Sequence, residues 1–425
     1  MMKKLTYFCF IFILLFFACS SKNPVLETEE KPTTFFEPED FGFSYTIDQK
    51  WLARVKEIVD WAYEEDMYVI INIHHDNIGE KDFGSVLGYY PSEEHKAESI
   101  KYLTRIWEQV SETFNNDYDQ HLIFEVMNEP RLKGHVHEWG FSASCQECQD
   151  SMNVVNEFNQ ACLDTIRKSG GNNATRLVVV PSLCASAYNA FNSLFKLPKD
   201  SAKDALALSV HMYSPYDFAM GVPGGEVFTE NHKKSLENDF KRLNKEYISK
   251  GIPVIIGEMG ATNKDNLDER AKWFAYFIQN ARKYGMATCV WDNGSSSPSK
   301  TESERYGYYN RTKQEWYFPL LMDIALKASG VDLQNLEADL YLDFNNDIEF
   351  QPQNKAQEIV YDMGFGWNLG NTLDATHWQE LQNAGISTET GWGQPKTTKE
   401  MIQGLKALGV KTIRIPISWH NHIEN

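Results

Sequence analysis

Short apolar runs without polar alternation recur along this chain, and amphipathic stretches separate most of them. The runs are 67–73, 121–126, 176–180, 205–210, 252–256 and 286–291. A strand with one wet face alternates apolar and polar residues. A continuous run needs cover on both faces, which a parallel sheet flanked by helices supplies. The first helix is predicted over 51–62, where Leu52, Val55, Ile58, Val59 and Ala62 share a face and Asp48 caps the start. A last helix of this series is predicted at 315–328.

The composition then shifts. Residues 330–354 are acidic and Asn-rich, with Asp332, Glu337, Asp339, Asp343, Asp347 and Glu349, and read as a linker without sustained strand or helix. Beyond it come two more strand-like stretches, Met363-Gly-Phe-Gly-Trp-Asn-Leu-Gly-Asn371 and Val410-Lys-Thr-Ile-Arg-Ile-Pro-Ile-Ser418, around a helix at 397–408. Six strands and two make eight. The expected fold class is α/β, a closed (β/α)8 TIM barrel, for which 425 residues leave ample length.

Barrel enzymes carry their chemistry at the C-terminal ends of strands. Polar residues fall there repeatedly: His74-His75-Asp76, Asn128-Glu129-Pro130, His211-Met-Tyr213 and Ile256-Gly-Glu258, with Trp291 on the sixth run and Arg414 inside the last strand. A carboxylate ending an apolar strand needs a partner or a task. Taken singly, Glu129 or Glu258 would be an ion-pair partner, His211 a core histidine and Trp291 a core aromatic. Together they point to a site.

These motifs, with Gly391-Trp-Gly-Gln-Pro395 and Ile413-Arg-Ile-Pro-Ile-Ser-Trp419, resemble glycoside hydrolase family 5, specifically its endo-β-1,4-glucanases that cleave cellulose, mixed-linkage glucan or xyloglucan. The resemblance implies retaining hydrolysis by two carboxyl groups of unlike proton affinity. It makes Glu129 the acid/base and Glu258 the nucleophile. Arg414 would favour the Glu258 anion, Tyr213 would donate to it, and Asn128 would bind the sugar 2-hydroxyl. His74, His75 and His211 would orient sugar hydroxyls or the acid/base. Trp291 would floor the cleavage subsite, Asn371 would contact the neighbouring sugar, and Trp392 would line the cleft. Trp139, Trp316 and Trp419 either line farther subsites or pack. No cofactor is implied and no metal is needed, although His74-His75-Asp76 leaves a metal reading open. The expected partner is a β-glucan polysaccharide.

The order of the segments differs from the resembled family. The stretch after 358 looks like the family's first two strands and the chain from Tyr45 like its second helix onward. The expectation is a circular permutant with chain strand order 3-4-5-6-7-8-1-2, with strands 3–8 in 45–329, a linker in 330–357 joining the ancestral ends, and strands 1–2 in 358–425 closing the barrel of their own chain as a monomer.

Residues 1–19 read as a lipoprotein-type export signal: Lys3 and Lys4, an apolar run 5–18, then Cys19 after Ala18 as the lipidation site. The expected place is the bacterial outer membrane or cell surface, otherwise secretion, with membrane contact only through that anchor. Residues 20–44 read as a flexible tether. A net charge of −18 with no basic stripe argues against nucleic acid. Cys145-Gln-Glu-Cys148 is a lone C-x-x-C, read as a loop disulfide or two thiols, with a redox or zinc role as the alternative. A glycan-binding lipoprotein, or a related mannanase or xylanase, are the competing functions.

Overall fold

The computed structural model describes residues 42–343, 350–376 and 385–424. The signal, Cys19 and most of the tether lie outside them. Eight parallel strands close into a barrel: β2 (Tyr68–Asn72), β3 (Leu122–Glu125), β4 (Val178–Ser186), β5 (Leu206–Met212), β6 (Val254–Met259), β7 (Ala287–Val290), β10 (Phe365–Asn368) and β11 (Thr412–Ile415). They follow one another round the ring in chain order, and β11 pairs with β2 to close it. The fold class expected from the sequence is thus the one observed.

The uninterrupted apolar runs have the expected cause. Inward residues such as Ile70, Ile123, Val179, Ala207, Ile255 and Ala287 form one cluster with Ala356, Ile359, Val360 and Met363 of the helix Lys355–Met363, so that helix packs on the barrel's interior layer. The outward residues Val69, Ile71, Phe124, Val178, Leu208 and Ile256 belong to a second cluster with the surrounding helices. Both faces are dry, so neither can alternate. The helix Gln49–Glu64 has the predicted Asp48 cap, whose carboxylate accepts from Lys50 and Trp51 N–H, and extends two residues beyond the predicted 51–62 at each end.

Three local expectations change. The helix predicted at 315–328 begins only at Pro319, because a residue before proline is driven out of helical backbone and proline favours the first helical position. Upstream, β9 (Glu315–Trp316) pairs antiparallel with β8 (Tyr309–Asn310). The acidic linker holds a short helix, Leu336–Asp339, capped by Asn335. The helix Lys355–Met363 crosses the expected boundary between linker and first strand at 357–358 and is capped by the Asn354 side chain.

A small ladder joins distant parts of the chain. β1 (Thr46–Ile47) runs antiparallel to β12 (Ile423–Glu424), with Thr46 opposite Glu424 and Ile47 opposite Ile423. Asp48 N–H donates to the His422 carbonyl at 2.8 Å, and the Trp51 indole stacks on the His422 ring at 3.6 Å.

Candidate active site

Alternation along the strands decides which polar residues enter the barrel. Asn72, Glu125, Asn368 and Arg414 occupy inward positions near the strand tops, with Asn72 paired to Glu125 and Asn368 to Arg414 in register. Arg414 is fully buried and spends its donors on four residues. Nε bonds Glu125 Oε2 at 2.8 Å, one terminal nitrogen bonds Glu258 Oε1 and Asn368 Oδ1, both at 2.9 Å, and the other bonds Asn128 Oδ1 at 2.7 Å. The paired carboxylates outweigh the opposing effect of burial and hold the guanidinium proton more tightly than usual. Gly257 lies against this cluster: a Cβ there would stand in van der Waals contact, 3.4 Å from Arg414 Nε, Glu125 Oε1 and His211 Nε2.

Glu258, on β6, also accepts from the Tyr213 hydroxyl at 2.9 Å. Burial and the Glu258 charge push the Tyr213 phenol well up, so it remains a donor. Glu129 lies past the end of β3, with Oε1 2.7 Å from His211 Nδ1. That imidazole also stands 3.7 Å from Glu258 Oε2. One ligating atom each of Glu129, His211 and Glu258 lies within 4.8 Å of the others. Burial pushes Glu129 up, but the His211 bond and charge, with Arg131, outweigh it and hold the carboxyl below its ordinary value. Burial lowers His211, yet the Glu258 charge and the Glu129 bond raise it overall. The two groups therefore titrate as a pair around one proton.

Asn72 orients His74. Its Oδ1 accepts from Ile417 N–H at 3.1 Å, which leaves Nδ2 to donate to Glu125 and to His74 Nδ1. The His74 proton then sits on Nε2, facing Glu258 Oε1 at 4.0 Å. Burial holds His74 neutral, and His75 is pushed down to about 3, first by burial and then by Arg131. Trp291 follows the end of β7 rather than lying on it, with its ring parallel to His74 at 5.8 Å. A Cβ at Gly370 would stand 3.0 Å from that ring.

These residues line one cleft of about 740 Å³. Among the sequence candidates, it gathers Glu129, Glu258, Asn128, Tyr213, His211, His74, His75, Trp291, Asn371 and Trp392, while Arg414 sits beneath its floor. Asn371, Trp392 and Glu304 are shared with a polar groove of about 650 Å³ that continues the cleft. Asn371 has a left-handed backbone (φ 55°), and its N–H donates to buried Asp374 at 3.0 Å. Trp139 lines the cleft, whereas Trp316 and Trp419 are packing residues, buried at 7% and 1% exposure.

Some expectations are corrected by the geometry. Asp76 faces away from the cleft, accepting from Tyr102, from Trp419 N–H and from His420, so it does not join His74 and His75. The residue near both histidines is Asp374. All five cysteines among the described residues are free thiols. Sequence reasoning missed Glu125, Asn72, Asn368 and Asp374. For Glu125 a signal existed: an acid inside the apolar run 121–126.

A family model described as "Cellulase (glycosyl hydrolase family 5)" matches residues 35–297 and 374–425. Endoglucanase B of Ruminococcus albus is 38% identical over 290 residues, 68% of this chain. The chain spans less than two thirds of that relative's length, 65%. A glycoside hydrolase 5 lichenase from Caldicellulosiruptor sp. F32, solved with cellotetraose, superposes with a TM-score of 0.61 at 39% identity, over 65% of this chain and 74% of that one. A GH5-4 broad specificity endoglucanase from Ruminococcus champanellensis, solved with cellotriose, gives 0.59 at 36% identity, over 66% and 76%.

Proposed function

This chain belongs to glycosyl hydrolase family 5, and we propose that within it the protein is a retaining endo-β-1,4-glucanase acting on β-glucans. One observation carries the reading: a carboxylate oxygen of Glu129 and one of Glu258 lie within 4.8 Å across an open cleft. An approach of this kind suits carboxyl groups roughly 5–5.5 Å apart, as in retaining pairs, better than groups roughly 6.5–9.5 Å apart with a water between them, as in inverting pairs.

Glu258, held from one side by Arg414 and from the other by Tyr213, attacks the anomeric carbon. Its C–O bond forms as the glycosidic C–O bond breaks. Glu129 gives its proton to the leaving oxygen. In the second half, Glu129 takes a proton from water, the water oxygen bonds the anomeric carbon, and Glu258 leaves as carboxylate. The proton comes from the Glu129–His211 pair. Asn128, fixed through its Oδ1 by Arg414, faces the sugar's 2-hydroxyl. Trp291 offers a flat face for a pyranose ring, which fits the apolar faces of equatorial sugars. The cleft and the groove beyond Asn371 and Trp392 have room for several sugar units, which favours cleavage inside a chain.

The segment order is read here as a circular permutation of the family, supported by the pairing of Thr46 with Glu424. Both are thus neighbours across one loop of the ancestral order. A monomer is proposed, with the last two strands completing the barrel of their own chain. Export with a lipid on Cys19 is proposed from Lys3, Lys4 and the apolar run 5–18. Loss of fatty-acid labelling in Cys19→Ala tests that point.

Reducing-end release from mixed-linkage β-glucan, xyloglucan, carboxymethyl cellulose and mannan tests the whole reading. Release from the β-1,4-glucans that disappears in Glu258→Ala is expected. Release from mannan alone would overturn the substrate assignment.

A further inference from the structure

We propose that His135, Cys145 and Cys148 form a binding site for a divalent zinc-type cation that fastens the loop on the rim of the cleft. One ligating atom of each lies within 4.8 Å of the others. A tetrahedral site with Zn–S near 2.3 Å and Zn–N near 2.0–2.1 Å places its ligand atoms roughly 3.5 Å apart, so only a small inward shift is needed. Thiolate and imidazole are the donor types zinc takes.

The surroundings fit a cation. Cys145 caps the helix Gln146–Lys168, and its Sγ accepts from Cys148 N–H at 3.2 Å. Cys148 is fully buried, which shields one ligand, while Cys145 and His135 remain partly open for entry. Glu147 Oε2 accepts from the Cys145 thiol at 3.4 Å, which adds a negative charge beside the cluster.

The placement gives the site its effect. His135 and Cys145 bracket a loop with Trp139 between them. Trp139 is 61% exposed, lines the cleft, and lies under the Arg131 guanidinium at 4.1 Å. Arg131 in turn bonds the Glu129 carbonyl and Glu138. Hydrogen bonds within the loop, such as His137 N–H to His135 Nδ1 at 3.1 Å, act with the Arg131–Glu138 pair and the Cys184 Sγ bond to the Glu138 carbonyl in holding it. Closing it through a metal removes loop entropy and sets the position of the indole on the cleft wall.

The test uses the full purified chain, reduced and stripped by chelator, then titrated with Zn2+ and separately with Co2+. Expected are one bound equivalent and, with Co2+, a near-ultraviolet thiolate charge-transfer band with strong visible bands of a tetrahedral site. Cys148→Ser should abolish both, His135→Ala should weaken binding at least tenfold, and Trp139→Ala should leave uptake intact. Metal should also slow protease nicking between residues 135 and 145 several-fold. No stoichiometric uptake by the reduced, folded protein would overturn the proposal. So would unchanged uptake in Cys145→Ser/Cys148→Ser, or a Cys145–Cys148 disulfide that forms at the expense of metal. None of these readouts depends on glucan hydrolysis, so the metal claim and the enzymatic reading fail separately.

Discussion

His211 Nδ1 stands 2.7 Å from Glu129 Oε1, which places one imidazole between the two carboxylates proposed to react. The pair holds a single exchangeable proton, and its apparent titration belongs to both groups.

Replacing His211 therefore changes a pH profile as well as a rate. His211 is held above its ordinary 6.5 by Glu258 and Glu129 against the effect of burial. The basic limb of kcat/KM in the wild type should accordingly fall above that value. In His211→Asn the limb belongs to the Glu129 carboxyl alone and should move to lower pH, with a loss of roughly 10²-fold at neutral pH. An unmoved limb would remove His211 from the proton's path.

Arg414 neutralises carboxylates on two strands, so its removal is a stability event too. Arg414→Met leaves Glu125 and Glu258 buried without their cation. A loss of about 3–5 kcal/mol in urea unfolding is expected. Glu125→Gln/Arg414→Met should recover part of it. A double variant no more stable than Arg414→Met would show that Glu125 is satisfied by Asn72 and Ser209 alone.

Asp374 and His75 pull the pH dependence of stability in opposite directions. Burial pushes Asp374 up to about 7 from 3.8, so the folded state binds the extra proton and stability falls as pH rises between those values. Burial pushes His75 down to about 3 from 6.5, so the unfolded state binds the extra proton and stability falls as pH drops through that window. Thermal midpoints should decline less from pH 4 to 7 in Asp374→Asn, and less from pH 6.5 to 3 in His75→Asn. The reverse signs would contradict both assignments.

What the sequence made legible follows from distance along the chain. Each barrel strand is a local pattern, dry on both faces, so β2 or β6 can be read from its own few residues. Glu129 and Glu258 are legible because acids ending apolar runs are conspicuous. The Arg414 cluster is not, because its members meet from β3, β6, β10 and β11, with Glu125 and Arg414 289 positions apart in the chain. Asp76 is hard to place from sequence for a related reason. Beside His74 and His75 in sequence, it is drawn by Trp419, His420 and Tyr102 to the other side of its loop. The strand at Glu315–Trp316 falls inside the predicted helix because two residues give too short a period to recognise.

The pairing of Thr46 with Glu424 predicts that the segment order can be rewritten. A chain opened between Asp343 and Phe350, with Glu424 joined to Ser44 by a few glycines, should fold to the same barrel. Its thermal midpoint should lie within a few degrees of the original and its specific activity within twofold. An insoluble or inactive product would count against the permutation.

The most direct test of the central claim is peptide mapping of the protein stopped during turnover of a 2-deoxy-2-fluoro-β-cellobioside with an activated leaving group. The account predicts one glycosyl adduct, on the peptide containing Glu258, with slow release of a β-configured sugar. An adduct on any other residue, or turnover to the α-anomer with no adduct, would contradict it.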